Sequence, residues 1–168
     1  MISKFLSGLE AASSEMKLFR KRHVYPEGPF WSVYVRLVDE GFVDDRQSRG
    51  LTDSAIEEIS RDQGVLLAPQ YADFLRCMGA GSGRTLIGET IFHPAVLGIR
   101  ANAEAMCAEF GIDCDLRDAL FVASHQGYIY YYVDLRDGGV HCLTEDSVGP
   151  VWVADSFSAF LYDFVKSA

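Results

Sequence analysis

From Gly79 to Leu86 the chain reads GAGSGRTL: three alternating glycines, hydroxyls and an arginine. That composition suits a phosphate cradle, in which backbone N–H groups at a helix N-terminus hold the anion. Two details count against it. A P-loop requires G-x-x-x-x-G-K-[ST], and no lysine follows the last glycine in the required place. A dinucleotide fingerprint requires G-x-G-x-x-G between a strand and a helix. Here the glycines run G-x-G-x-G, after helical sequence and before strand-like sequence. A helix C-terminus presents carbonyls, which repel phosphate. The stretch therefore reads as a helix exit in which glycine supplies positive φ, with Ser82 and Arg84 facing solvent or a partner.

Other reactive residues form no recognisable catalytic set. His125 lies in a turn and Asp134 closes the next strand, so an acid–base pair can be drawn between them. There is no G-x-S-x-G nucleophile elbow. Cys77 falls within a helical pattern beside apolar neighbours, where cysteine acts as a small hydrophobe. Cys77, Cys107, Cys114 and Cys142 contain no C-x-x-C pair, and their spacing fits neither a zinc site nor a disulfide scaffold. Reduced thiols, no metal and no cofactor are expected. The run Tyr128, Tyr130, Tyr131, Tyr132 alternates, with Tyr128, Tyr130 and Tyr132 on one face and Ile129, Tyr131 and Val133 on the other. Both faces are bulky, as in a central strand covered on both sides; the alternative is a tyrosine surface for a protein partner.

The elements that must position these residues are legible from period and punctuation. Apolar residues at Phe5, Leu9, Ala12, Met16 and Phe19 trace a helix face over 4–19, followed by the basic cluster Arg20, Lys21, Arg22. A second helix starts near Phe30 and stops at Gly41, and FVDDRQSRG reads as a polar connector. Thr52 or Asp53 caps a helix carrying Ala55, Ile56 and Ile59 that Gly64 ends. Pro69 opens the next at its first turn, with Tyr71, Phe74, Leu75 and Met78 as its stripe and Gly79 or Gly81 as its stop. TLIGETIFH offers one or two short strands, and residues 101–110 a helix closed by Gly111. Then come strands at ALFVAS, YIYYYVDL, VHCL and VWVA. HQG and the Asp-Gly of RDGG supply turns, the latter a pair favoured in two-residue hairpins. Asp155 or Ser156 caps a last helix bearing Phe157, Phe160, Leu161 and Phe164. Helices, a mostly antiparallel meander and a final helix make an α+β layout.

Composition narrows the function. A chain of 168 residues fits one domain, 1–168, able to bury its own core. Lysine and arginine total 15 against 24 aspartates and glutamates, for a formal net charge of -9. That balance opposes non-specific nucleic-acid binding, which relies on basic residues to neutralise phosphates. It suits solubility or a basic partner. No apolar run approaches the ~18 residues of a membrane span, and residues 1–22 lack a secretory h-region. No membrane association is expected, and a cytoplasmic location is.

The ordered motifs add a resemblance. IEEISRDQGVLLAPQYADFLRCMGAGSG is similar to the signature of the SMI1/KNR4 (SUKH) family, through Ile56, Gly64, Pro69, Tyr71, Phe74, Leu75, Gly79 and Gly81. ALFVASHQGYIYYYVDLRDGGVH resembles its apolar strand, glycine turn and aromatic strand, through Phe121, Gly127, Tyr130–Tyr132 and Asp134. PVWVADSFSAFL resembles its last strand and helix. Ala68 stands where leucine usually precedes the proline, Met78-Gly79 replaces Asn-Gly, and the HQG turn is short. The resemblance covers a core of 51–168 and leaves 1–50 as an N-terminal helical extension. It implies a mixed or mostly antiparallel sheet packed by helices, with extra N-terminal helices and a C-terminal one.

It also implies a non-enzymatic immunity protein that binds and neutralises a cognate toxin, such as a nuclease or deaminase, of a polymorphic or contact-dependent system. The family brings no agreed catalytic residues. A partner that is basic would be met by acidic loops, and Asp44, Asp45, Glu145 and Asp146 are the first candidates, with Asp134 the weaker one. A regulatory interaction module without a toxin is the second reading, and a small enzyme using His125 or a cysteine the third.

Overall fold

The computed structural model describes residues 30–168. The helix expected over 4–19 and the basic cluster after it lie outside the described residues. Helix α1 (Trp31–Asp39) turns Phe30, Tyr34 and Leu37 into the core. Helix α2 (Asp53–Gln63) starts where the Thr52 side chain accepts from the Ala55 N–H and ends at Gly64, whose φ is 68°. Helix α3 (Pro69–Met78) has proline in its first turn and buries Tyr71, Phe74, Leu75, Cys77 and Met78. The two-residue strand β1 (Glu89–Thr90) is all that forms of the strands expected in TLIGETIFH; residues 83–88 turn instead. Leu86 there adopts φ 58° and is buried. Helix α4 (Ile99–Phe110) ends at Gly111, φ 67°.

Strands β2 (Ala119–His125), β3 (Ile129–Asp134), β4 (Val140–Thr144) and β5 (Val151–Ala154) follow, then helix α5 (Phe157–Ser167), capped by the Ser156 side chain on the Ala159 N–H. The sheet is a five-stranded antiparallel meander in the order β1-β2-β3-β4-β5, so the fold is α+β. Among the described residues no helix is long and apolar enough to cross a membrane.

Helices cover both sheet faces, in line with the first of the two readings of the tyrosine run. Tyr131 packs on Phe160 and Phe164 of α5, with ring centroids 5.0 and 5.3 Å away. Tyr132 tilts against Phe121 on the opposite face, and Tyr130 lines a cleft with Met106 of α4. Helices α1, α3 and α5 meet through Phe74, which touches Phe30 edge-on and Phe157 at 5.5 Å. Phe30, Tyr34, Leu37 and Val43 thus share one core with the later elements.

The GAGSG segment is a seam rather than an open exit. Gly79 has φ -61°, so positive φ is not what it provides. A Cβ there would lie 2.6 Å from the Leu75 carbonyl oxygen and 3.0 Å from Leu51, and only glycine avoids both. Segment 49–51 lies alongside: Arg49 N–H donates to Gly81 O, Ala80 N–H to Arg49 O, and Leu51 N–H to Leu75 O. Ser82 is buried on Ser48 (Oγ–Oγ 2.8 Å), which corrects its expected exposure; Arg84 is exposed.

Two turns differ in detail. At Gln126-Gly127 both residues have positive φ, 51° and 81°, as a type I′ turn demands. The β3–β4 connection is longer than the two-residue hairpin expected from RDGG. Asp134 accepts from the Arg136 N–H, and Asp137 from the Gly139 N–H, so consecutive side chain–backbone bonds fold residues 135–139 into a wider loop.

Candidate protein-binding cleft

The acidic residues read from sequence occupy different settings. Asp44 is exposed but holds its own turn, accepting from the Arg46 N–H at 3.0 Å and the Gln47 amide at 2.8 Å. Asp45 accepts from the Tyr34 hydroxyl at 2.7 Å. Asp134 is buried, and both its oxygens accept from Arg136. The guanidinium beside it holds this carboxyl below the ordinary aspartate range. Glu145 and Asp146 are exposed at the centre of a turn closed by Ser147, whose N–H donates to Thr144 O. The structure therefore leaves Glu145 and Asp146 presented outward and draws Asp45 and Asp134 into internal bonds.

Glu145 also lines a surface cleft of about 410 Å³ between α4 and the β2–β3 turn. Its other walls are Asn102, Met106, Glu109 and Phe110 from α4, with Gly127 and Tyr128 from the β2–β3 turn and Tyr130 from β3. Met106 and Tyr130 are buried at its floor, while Phe110 and Tyr128 are 49% and 39% exposed at its rim. No described cation pairs with Glu109 or Glu145. Two free carboxylates flanked by aromatic rings suit a cationic side chain, which would gain ion pairing and cation–π contact together. Beyond Glu145 the same loop and edge strand expose Val148, Val151, Trp152 and Val153.

Sequence reasoning reached Glu145, Gly127 and Tyr128 but not Glu109 or Phe110. The signal was an aromatic beside an acid just before the helix-stopping Gly111. It carries no weight until the β2–β3 turn and the β4–β5 loop are brought beside it.

The acid–base pair drawn between His125 and Asp134 is not assembled. His125 pairs with Ile129 across the turn and Asp134 lies five residues further along β3, about 16 Å away at ~3.3 Å per residue. His125 Nδ1 instead contacts Glu89 Oε1 at 2.7 Å. Cys77 is buried, and burial pushes its thiol up to about 12, as befits a packing residue. Asp134, Asp137 and His141 bring ligand-type atoms within 4.8 Å of one another. Asp134 is already neutralised by Arg136, which supplies the positive charge a metal ion would otherwise bring.

The family positions have structural roles. Gly64 is the left-handed C-cap of α2, Pro69 the first turn of α3, and Gly127 the second residue of the β2–β3 turn. Tyr71, Phe74 and Leu75 are fully buried, and Gly79 and Gly81 form the seam with segment 49–51. A family model described as SMI1 / KNR4 family (SUKH-1) matches residues 50–163. No curated protein matches the chain.

Proposed function

The chain belongs to the SMI1/KNR4 family (SUKH-1), and from that membership we propose that it is an immunity protein. It binds and neutralises a cognate toxin domain by stoichiometric contact, without chemistry of its own. The observation that carries this reading is the cleft between α4 and the β2–β3 turn, with Glu109 and Glu145 free beside Phe110 and Tyr128. A basic toxin surface, as a nuclease needs for its substrate, complements these carboxylates and the net charge of -9. The dispersed His125 and Asp134 support binding over catalysis as the mode of action.

The test is coexpression with the toxin domain encoded beside the gene. Wild type is expected to restore growth and to co-purify one-to-one. Glu109→Lys with Glu145→Lys is expected to slow association about tenfold or more at low salt and to weaken protection. Absence of both complex and rescue with wild type would overturn the proposal. Full protection by the double variant would remove the cleft from it.

A further inference from the structure

On the opposite side of the last turn of α4, two of the four thiols meet. Cys107 lies in that turn, and Cys114 follows Gly111, whose φ of 67° folds the chain back on the helix. The Ile112 N–H donates to Cys107 O at 2.9 Å and fixes the return. The two Sγ atoms are 3.5 Å apart, and Cys114 Sγ also lies 3.8 Å from Ile112 O. Both border a surface cleft of about 420 Å³, shared with Arg100, Ala108, Leu116 and Arg117. Cys107 is buried and Cys114 is half-buried, so Cys114 is the more accessible of the pair. Cys77 is enclosed in α3 and Cys142 sits on β4, and among the described residues neither bonds to another thiol.

We propose that Cys107 and Cys114 form a reversible dithiol–disulfide site whose co-substrate is a low-molecular-weight disulfide such as oxidised glutathione. Cys114 loses its proton to solvent, and its thiolate attacks one sulfur of the glutathione disulfide. That sulfur–sulfur bond breaks, one glutathione leaves as thiolate, and a mixed disulfide remains on Cys114. Cys107 then gives up its proton, which the departed glutathione thiolate takes up through solvent, and its thiolate attacks Cys114 Sγ, forms the internal bond and expels the second glutathione, which takes up the proton that Cys114 released. Two protein thiols are oxidised by two electrons and one glutathione disulfide is reduced to two thiols, so the exchange balances.

The sulfurs need close only from 3.5 Å to about 2.05 Å, within reach of side-chain rotation and small backbone adjustment. Burial, reinforced by the bond to Cys107, pushes the Cys114 thiol up to about 12. Its thiolate is therefore scarce at neutral pH, and the exchange rate rises nearly tenfold per pH unit between about 7 and 9. The bond ties down the turn that carries Phe110, one wall of the acidic cleft.

The experiment incubates the purified full chain with oxidised glutathione at alkaline pH and counts thiols after denaturation. The expected result is a fall from four thiols to two, a mass lower by two hydrogens and a linked Cys107–Cys114 peptide, reversed by dithiothreitol. Cys107→Ser is expected to stop at a stable glutathione adduct on Cys114, and Cys77→Ser with Cys142→Ser to keep the full response. Retention of all four thiols, a lasting adduct on wild type, disulfide-linked dimers or first reaction at Cys77 or Cys142 would overturn the proposal.

Discussion

Asp134 shows how a side chain of one charge takes opposite roles in different surroundings. Beside Glu145 in sequence terms it is another acidic residue near a turn; in the structure it is 5% exposed and spends both oxygens on Arg136. Its folded-state value is depressed, first by the hydrogen bonds to the Arg136 side chain. The stabilisation is therefore fully present above the unfolded value of about 3.9 and is lost as pH falls through the lower folded value. Asp134→Asn is expected to cost about 1–3 kcal/mol near neutrality, with the gap from wild type shrinking below about pH 4. Urea midpoints measured from neutral to acid pH check this; a gap independent of pH would contradict the assignment. Gln63 makes the same point without charge. Nothing in DSAIEEISRDQ marks it as internal, yet its buried amide donates to Phe121 O at 2.9 Å and accepts from the Phe121 N–H at 3.2 Å. It satisfies both backbone groups at the place where β2 shifts register between Phe121 and Ala123.

Between elements, the close contact of segment 49–51 with α3 is the most demanding. A Cβ on Gly50 would run into the Arg76 carbonyl, a backbone atom that cannot rotate away. Gly50→Ala is expected to destabilise by about 1–3 kcal/mol or more through forced backbone movement, seen as a lower urea midpoint with the slope unchanged. A midpoint equal to wild type would show that the seam yields freely. The helices themselves were legible because their caps are local. Thr52, Gly64, Pro69, Gly111 and Ser156 act within a few residues of their own positions, so their chemistry survives in the sequence. Gly79 was legible as a helix stop but not for its reason. Crowding by Leu51 and Leu75, rather than positive φ, is what excludes a side chain there.

Across the whole molecule, one apolar cluster runs from Phe30 to Val165 and takes residues from every described helix and from the sheet. Helices α1, α3 and α5 share Phe74, and α5 in turn covers Tyr131 of the central strand. Urea unfolding followed by far-UV circular dichroism and by tryptophan fluorescence is expected to give coincident midpoints; separated transitions would contradict a shared core. The family match begins at residue 50, whereas the core already includes Phe30, Tyr34, Leu37 and Val43. The charge of -9 acts at this scale as well, because a long-range field sums over the entire surface.

By itself the sequence determined most helix ends among the described residues, the mostly antiparallel meander and the family, and it left the tyrosine strand between a buried centre and a partner surface. Each rests on period, capping or turn chemistry acting over a few residues, or on the order of such signals along the chain. Only the tertiary structure decided which charges remain free. Asp134 and Glu145 are both acids near hairpin turns, and the sequence goes no further than ranking Asp134 below Glu145 as a partner-binding candidate. The difference is that Arg136 reaches Asp134 at its buried strand end, while Glu145 is carried by the β4–β5 loop to the rim opposite Glu109 and Phe110. The meeting of Cys107 with Cys114 was hidden for a similar reason: six residues separate them, and the left-handed turn at Gly111 brings their sulfurs together.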